Sequence, residues 1–251
     1  MKVVYKRPSV LKEVKMHYCP GCGHGIVHKI ISELIEELSI REKTIIISPV
    51  GCSVLIYDYI DCDATESAHG RAQAVATGLK RAMPDRIVIS YQGDGDLAAI
   101  GMAETIHAAN RGENFTVIFI NNAIYGMTGG QMAPTTIVGQ RTKTTPTGRD
   151  PYHAGRPVRM CELLSQLDGP AYIERVSIHD VKNIIRTKKA IRKALKCQID
   201  GLGYSFVEVL STCPTNWGID PVNSMKWVEE NMLSYYPLGV FKDRTKVEVV
   251  R

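Results

Sequence analysis

No stretch of this 251-residue chain approaches the ~20 consecutive apolar residues that a helix needs to cross a bilayer, so the sequence gives no reason to expect a membrane span. Residues Met1 to Val14 contain no apolar core suited to a secretory signal, which leads us to expect a cytoplasmic protein. No internal repeat is evident. Nor is there a concentrated basic patch: 31 lysines and arginines face 26 aspartates and glutamates, and the net charge of +5 is scattered along the chain, which argues against a nucleic-acid partner. The seven cysteines are odd in number and lack a secretion signal, so they suit thiolates that bind metal or stay reduced better than a disulfide framework. What is present is the composition of an ordinary globular protein, 44% hydrophobic and 23% charged, long enough for one sizeable core, and we take residues 1–251 as a single domain.

The densest chemistry lies in two turns. Arg86 to Tyr91 is a short β-branched run that ends in Gly93-Asp94-Gly95, Leu97 to Arg111 carries helix formers, and Phe115 to Ile120 is a second β-branched run that ends in Asn121-Asn122. Strand, helix and strand of these lengths make a right-handed crossover between parallel strands, which sends both turns to the same carboxyl edge of one sheet. Asp94 and Asn122 are therefore expected to meet. A carboxylate, an amide oxygen and a backbone carbonyl are hard oxygen ligands of the kind magnesium takes while it keeps substrate phosphates in its shell. Gly93 and Gly95 let the main chain approach those phosphates, and the helix starting near Leu97 aims free N–H groups at them. Asp96 is a candidate for the same site or for a helix cap. The pairing points to a bound magnesium diphosphate.

A second constellation is made of sulfur. Cys19-Pro20-Gly21-Cys22 has the two-residue spacing shared by zinc and iron-sulfur sites. Cys52, after the strand Thr44 to Ser48, and Cys213, after the strand Ser205 to Leu210, sit in loops at strand ends where distant segments converge. Cys62, between two aspartates, Cys161, in an apolar turn, and Cys197, at the end of a basic helix, read as ordinary free thiols.

The remaining pattern alternates strands with helices. Helices are expected over Ile26–Leu38, Glu66–Met83, Arg159–Leu167, Val181–Gln198 and Pro221–Asn231, with strands at Ala171–Val176 and Tyr204–Leu210, giving a doubly wound, mostly parallel α/β sheet. His69 and Arg71 stand at the start of the second helix. A histidine there is commonly a cap or packing residue, while Arg71 suits a phosphate or a substrate carboxylate. His24 and His28 read as supports for the cysteine loop. A long loop at about 127–156, rich in Gly, Thr and Pro, is placed to cover the site, and Thr128 and Gln131 are candidate donors to diphosphate or substrate. The basic run Arg186 to Lys196 is either a solvated helix face or a docking face for an acidic protein. The tail from about 233 is expected to dock on a neighbouring chain.

Gly93-Asp94-Gly95-Asp96 followed by Asn121-Asn122-Ala123-Ile124-Tyr125-Gly126 resembles the diphosphate-binding motif of thiamine diphosphate enzymes. With Tyr18 to Gly25, Gly51-Cys52-Ser53, Ala68-His69-Gly70-Arg71-Ala72 and Cys213-Pro214-Thr215, the likeness extends over nearly the whole chain and is specific to the β subunits of 2-oxoacid:ferredoxin oxidoreductases. The resemblance implies that Asp94, the Asn122 side chain and the Ile124 carbonyl coordinate magnesium, that Gly93, Gly95, Asp96, Gly126 and Thr128 contact thiamine diphosphate, and that His69 and Arg71 lie in the active site. It implies that Cys19, Cys22, Cys52 and Cys213 hold a 4Fe-4S cluster; a zinc ion on the same four thiolates is the alternative. It further implies an α subunit, with small γ and ferredoxin-like δ subunits in some complexes, and ferredoxin, coenzyme A and a 2-oxoacid as reaction partners. The glutamate that activates the cofactor comes from another domain in this family, so the subunit is expected to be inactive alone.

As we read the family pattern, relatives acting on dicarboxylic 2-oxoacids place a basic residue shortly after the third cluster cysteine and a lysine in the loop matching Thr128 to Gln131. Here Val54-Leu55 and Gly129 stand there, so a branched 2-oxoacid such as 2-oxoisovalerate is favoured over 2-oxoglutarate, with Leu55 suited to an aliphatic tail. A thiamine-dependent carboligase or decarboxylase of the acetolactate synthase type would share Asp94 and Asn122 but would not need four convergent cysteines. A non-enzymatic zinc scaffold would need the cysteines alone.

Overall fold

The computed structural model describes residues 5–245. Those residues build a seven-stranded sheet from β1 (Thr44–Ser48), β2 (Asp63–Glu66), β3 (Ile87–Gly93), β4 (Thr116–Asn121), β5 (Tyr172–Ser177), β6 (Ser205–Leu210) and β7 (Gly239–Asp243), in the order β2-β1-β3-β4-β6-β5-β7. Every neighbouring pair is parallel except β5 with β7. Parallel strands need crossovers, and the helices that supply them cover both faces, as expected of a doubly wound α/β fold.

The strands are apolar on both sides because both sides are covered. Ile46, Ile89, Tyr91, Ile118, Ile120, Val207 and Val209 point into one core, closed by α1 (His24–Glu37) and α7 (Val181–Ile199). Their neighbours Ile45, Ile47, Val88, Val117, Phe119 and Phe206 point into the other, closed by α3 (Ala72–Ala82), α4 (Met102–Asn110) and α6 (Met160–Ser165). This alternation is the two-residue period of a strand. Of the apolar residues at helical spacing in this segment, Val27, Ile30, Ile31, Leu34 and Ile35 are buried in the core and Leu38 is half-buried against it.

Several expected elements differ. The helix expected from Glu66 starts only at Ala72: Glu66 itself closes edge strand β2, and residues 67–71 form a turn in which Gly70 adopts a left-handed φ of +76°. The helix expected from Leu97 opens as a π-helical turn over Asp96–Ile100 and becomes regular only past Gly101. As far as residue 245 the tail packs on its own chain: β7 pairs with β5, and Tyr236 is buried with its hydroxyl donating to the Thr135 carbonyl. The final residues of that tail, 246–251, lie outside the described residues. The basic run on α7 is largely occupied within the chain. Lys188 reaches Glu33 at 2.6 Å and Glu37 at 2.7 Å on α1, Arg192 also pairs with Glu37, Lys193 pairs with Asp243, and Arg186 with Glu174. Among the described residues no helix is long and apolar enough to cross a membrane.

Candidate functional site

The carboxyl ends of β1, β3, β4 and β6 open on one edge of the sheet. A cavity of about 260 Å³ lies there, lined by Gly93, Asp94, Gly95, Asp96, Asn122, Ile124, Gly126 and Thr128, together with His69, His24 and Cys52. The two turns predicted to meet do so. Asp94 Oδ1 accepts from the Asn122 N–H at 3.3 Å, and Oδ2 accepts from the Ile124 N–H at 3.2 Å. The turn after β4 is held by a left-handed Ala123 at φ +57°, whose N–H donates to Asn121 Oδ1 at 3.1 Å. Asn121 is thus a brace for the turn. Its amide donates to Glu208 at 2.7 Å, and fully buried Glu208 pairs with Arg175 at 2.9 Å, which also pairs with Glu162.

Asp94 is buried, and that burial pushes its carboxyl up to about 7 in spite of three donors. The third donor is the Thr135 hydroxyl at 2.5 Å, from the long loop. Nothing in the local sequence signalled it, because 41 residues separate the pair. All three donors are neutral, and among the described residues no cation pairs with the carboxylate. A divalent ion at the cavity wall would supply one, and this is the observation that makes Asp94 fit an ion site. Above Gly93 there is open space, with nothing within 4 Å of where a Cβ would stand.

Asp96 sits in the lining but works inward. Its Oδ1 accepts from His69 Nδ1 at 2.7 Å, from the Gly70 N–H at 2.9 Å and from the Val50 N–H at 3.1 Å, while Oδ2 accepts from Gln92 at 2.6 Å. One carboxylate therefore ties the loops after β1 and β2 to the turn after β3. It also fixes the His69 ring with Nδ1 as the donor, which leaves Nε2 unengaged by Asp96 on a half-exposed ring at the cavity. Arg71 is not brought to the cavity. Its guanidinium pairs with Glu104 and donates to the Ile100 carbonyl at 3.3 Å, with the carboxylate and the freed π-turn carbonyl holding it on the helix side. Thr128 and Gln131 hydrogen-bond to each other across a closed turn in which Tyr125 and Gln131 form a bridge. Leu55 packs on the core beside α1 instead of the cavity; the apolar groups exposed at the lining are Val50, Ile100 and Met127. Among the described residues the lining contains no lysine or arginine, but the Lys143 ammonium lies 3.1 Å from where a Gly129 Cβ would stand.

The cysteine constellation adjoins the same cavity. Gly126 is required between the two halves, because a Cβ there would lie 3.0 Å from Cys52 Sγ and 3.7 Å from Cys213 Sγ. Asn216 donates to Cys213 Sγ at 3.3 Å and to the Gly126 carbonyl at 3.0 Å. Burial, reinforced by the neighbouring thiols, pushes Cys22 up to about 12 and Cys52 up to about 11; Cys213 is raised for the same reasons. Cys19, on the exposed side of its turn, lies near enough to figure in all three. Among the described residues no three His, Cys, Asp or Glu side chains are drawn close enough to hold a single metal ion. The turn stands on a buried aromatic cluster in which His24 Nδ1 meets the Tyr91 hydroxyl and His28 Nε2 meets the Tyr18 hydroxyl, each at 2.7 Å. Burial holds His24 down to about 3, so both histidines support the loop as neutral rings, as the sequence suggested. Cys161 and Cys197 are buried in the two cores and are not part of the cavity lining.

The family defined by the C-terminal TPP binding domain of thiamine pyrophosphate enzymes matches residues 49–209, which carry strands β2 to β5, nearly all of β6 and both turns of the cavity. Among curated relatives, the ketoisovalerate oxidoreductase subunit VorA of Methanothermobacter thermautotrophicus is 55% identical over 242 residues, 96% of this chain and 51% of the relative. The 2-oxoglutarate synthase subunit KorB of Methanocaldococcus jannaschii is 38% identical over 239 residues, 92% of this chain and 83% of the relative. A solved 2-oxoglutarate:ferredoxin oxidoreductase from Magnetococcus marinus, with 2-oxoglutarate, coenzyme A and succinyl-CoA bound, superposes with a TM-score of 0.78 at 27% identity over 96% of this chain and 85% of that one. The chain belongs to the 2-oxoacid:ferredoxin oxidoreductase subunits within the thiamine pyrophosphate enzymes. It spans about half the length of the ketoisovalerate oxidoreductase relatives it matches.

Proposed function

We propose that this chain is the thiamine diphosphate-binding β subunit of a cytoplasmic complex that converts a 2-oxoacid, coenzyme A and oxidised ferredoxin to acyl-coenzyme A, carbon dioxide and reduced ferredoxin. The observation that carries the reading is the meeting of Asp94 with the Asn122 turn at a cavity floor, a buried carboxylate with neutral donors and, among the described residues, no cation. In this reading Asp94, Asn122 and the Ile124 carbonyl hold magnesium, and the open space above Gly93 leaves room for the diphosphate, with Gly95, Asp96, Gly126 and Thr128 in the lining around it. Thiamine diphosphate, once bound, supplies the nucleophilic carbon and the electron sink for decarboxylation. The chain's own part is to orient it and to handle protons: His69, locked by Asp96, offers Nε2 as a base at the cavity.

Cys19, Cys22, Cys52 and Cys213 are proposed to hold a 4Fe-4S cluster that passes electrons out singly. The cradle at Gly126 and the mutual effect of the thiols support one shared group. An α subunit supplies the other wall of the site and the activating carboxylate, with γ and ferredoxin-like δ chains where the complex has them.

For the substrate, the higher identity to a ketoisovalerate subunit and an apolar lining of Val50, Ile100 and Met127 support a branched 2-oxoacid such as 2-oxoisovalerate. A second reading, 2-oxoglutarate, is favoured by the Lys143 ammonium beside Gly129, which could meet a second carboxylate. The test is anaerobic purification of the co-expressed complex, with metal and thiamine analysis followed by coenzyme A-dependent ferredoxin reduction on each substrate. A colourless but fully active complex would overturn the redox assignment, and a higher kcat/KM on 2-oxoglutarate would overturn the substrate assignment.

A further inference from the structure

The loop after β4 runs from residue 127 to α5 (Pro151–Ala154) with little regular structure, yet one of its side chains is buried where a loop arginine ordinarily would not be. Arg149 is 4% exposed. Among the described residues it has no carboxylate partner, and every bond of its guanidinium goes to the main chain. Nη1 donates to the carbonyls of Ala133, Pro134 and Thr136 at 3.2, 2.9 and 2.7 Å, Nη2 to Ala154 at 3.0 Å, and Nε to Gly155 at 3.0 Å. A buried cation without a counter-charge is costly, so its five acceptors must share the charge.

Three of those acceptors bracket Thr135. The Thr135 hydroxyl donates its one proton to Asp94 Oδ2 at 2.5 Å, and its carbonyl accepts from Tyr236 at 2.6 Å. Thr136 continues the same strut, with its hydroxyl donating to the Ala123 carbonyl at 2.7 Å and accepting from the Ala133 N–H at 2.9 Å. We infer that Arg149 is a positioning residue for the cofactor ion: it fixes residues 133–136 so that Thr135 already holds Asp94 in its binding orientation before cofactor arrives. Such outer partners set ligand direction and are reflected in ion affinity. The inference rests on the proposed role of Asp94, and it assigns a function to a segment 39 to 42 residues beyond it.

The test uses the purified complex stripped of cofactor, titrated with magnesium thiamine diphosphate by calorimetry. Arg149→Lys keeps the charge but not the planar fork, and is expected to weaken binding about tenfold. Cluster absorbance should stay unchanged. Thr135→Val should weaken binding by a similar factor, and the double variant by no more than either single one, because both act through one contact. Unchanged affinity in Arg149→Lys, or a double variant whose loss is the product of the two, would overturn the inference, the latter by showing that Arg149 only closes a loop. If the substituted complexes do not assemble, hydrogen exchange on the unsubstituted complex decides. The Thr136 amide, bonded to the Ala133 carbonyl at 3.1 Å, should be protected before cofactor is added, and protection gained only on binding would refute a preset strut. Failure of the unsubstituted complex to bind thiamine diphosphate would instead overturn the proposed function.

Discussion

The oxygen side and the sulfur side of the cavity are built on opposite plans. Around Asp94 every donor is in place without an ion, with two amides, a hydroxyl and a clamped loop converging on one carboxylate. Around the cysteines the bonds are fewer and spread out: Asn216 donates to Cys213, and the His24 main chain donates to Cys22. A magnesium site must offer near-octahedral oxygens to an ion that dehydrates reluctantly, so its protein half is set beforehand. An iron-sulfur group brings its own rigid core, and the protein needs only to place four thiolates around it.

The largest expected effect separates the two halves. Asp94→Ala should abolish retention of thiamine diphosphate while visible cluster absorbance persists, and Cys213→Ala should bleach that absorbance while thiamine diphosphate is retained. Loss of both groups in either variant would mean that the halves assemble as one unit. Next, Gly126→Ala pushes a methyl group toward Cys52 and Cys213, and iron analysis should show reduced cluster occupancy with smaller change in cofactor binding.

The pH dependence gives a third test. Burial raises Asp94 to about 7, above the ~3.9 of an unfolded aspartate, so the folded state binds this proton more tightly. The cofactor-free protein therefore loses that contribution as pH rises from about 4 through about 7. Magnesium binds the ionised form, so the rise in melting temperature on adding magnesium thiamine diphosphate should be greater at pH 8 than at pH 6. An equal rise at both would count against Asp94 as the ligand. The smallest effect is expected from Asn216→Leu, which removes a hydrogen bond to Cys213 Sγ and should lower the cluster midpoint potential without loss of iron.

Much of this was legible because it is local or periodic. Strand β1 lies where its β-branched run predicts, and the crossover rule brings Asp94 to Asn122 from composition and spacing alone. What the sequence hid are pairings across many residues between side chains of ordinary type. Thr135 is one of many threonines in its loop, and only the fold aims it at Asp94. Asp96 reads as a cap and proves to tie three loops, and Arg71 reads as an anion binder although Glu104, one helix away, holds it outside the cavity. Strand β2 was missed because a short charged edge strand has no apolar alternation to display. The basic face of α7 could not be read as occupied until α1 was seen to lie alongside it.

The two tryptophans of the chain, Trp217 and Trp227, lie with ring centroids 4.2 Å apart, and the Trp217 indole N–H donates to the Asn122 carbonyl at 3.2 Å. The turn after β4 is thereby wired to the chain's two indoles. If Asn122 takes an ion as proposed, its movement alters the surroundings of a paired emitter, which makes indole emission a label-free gauge of cofactor loading.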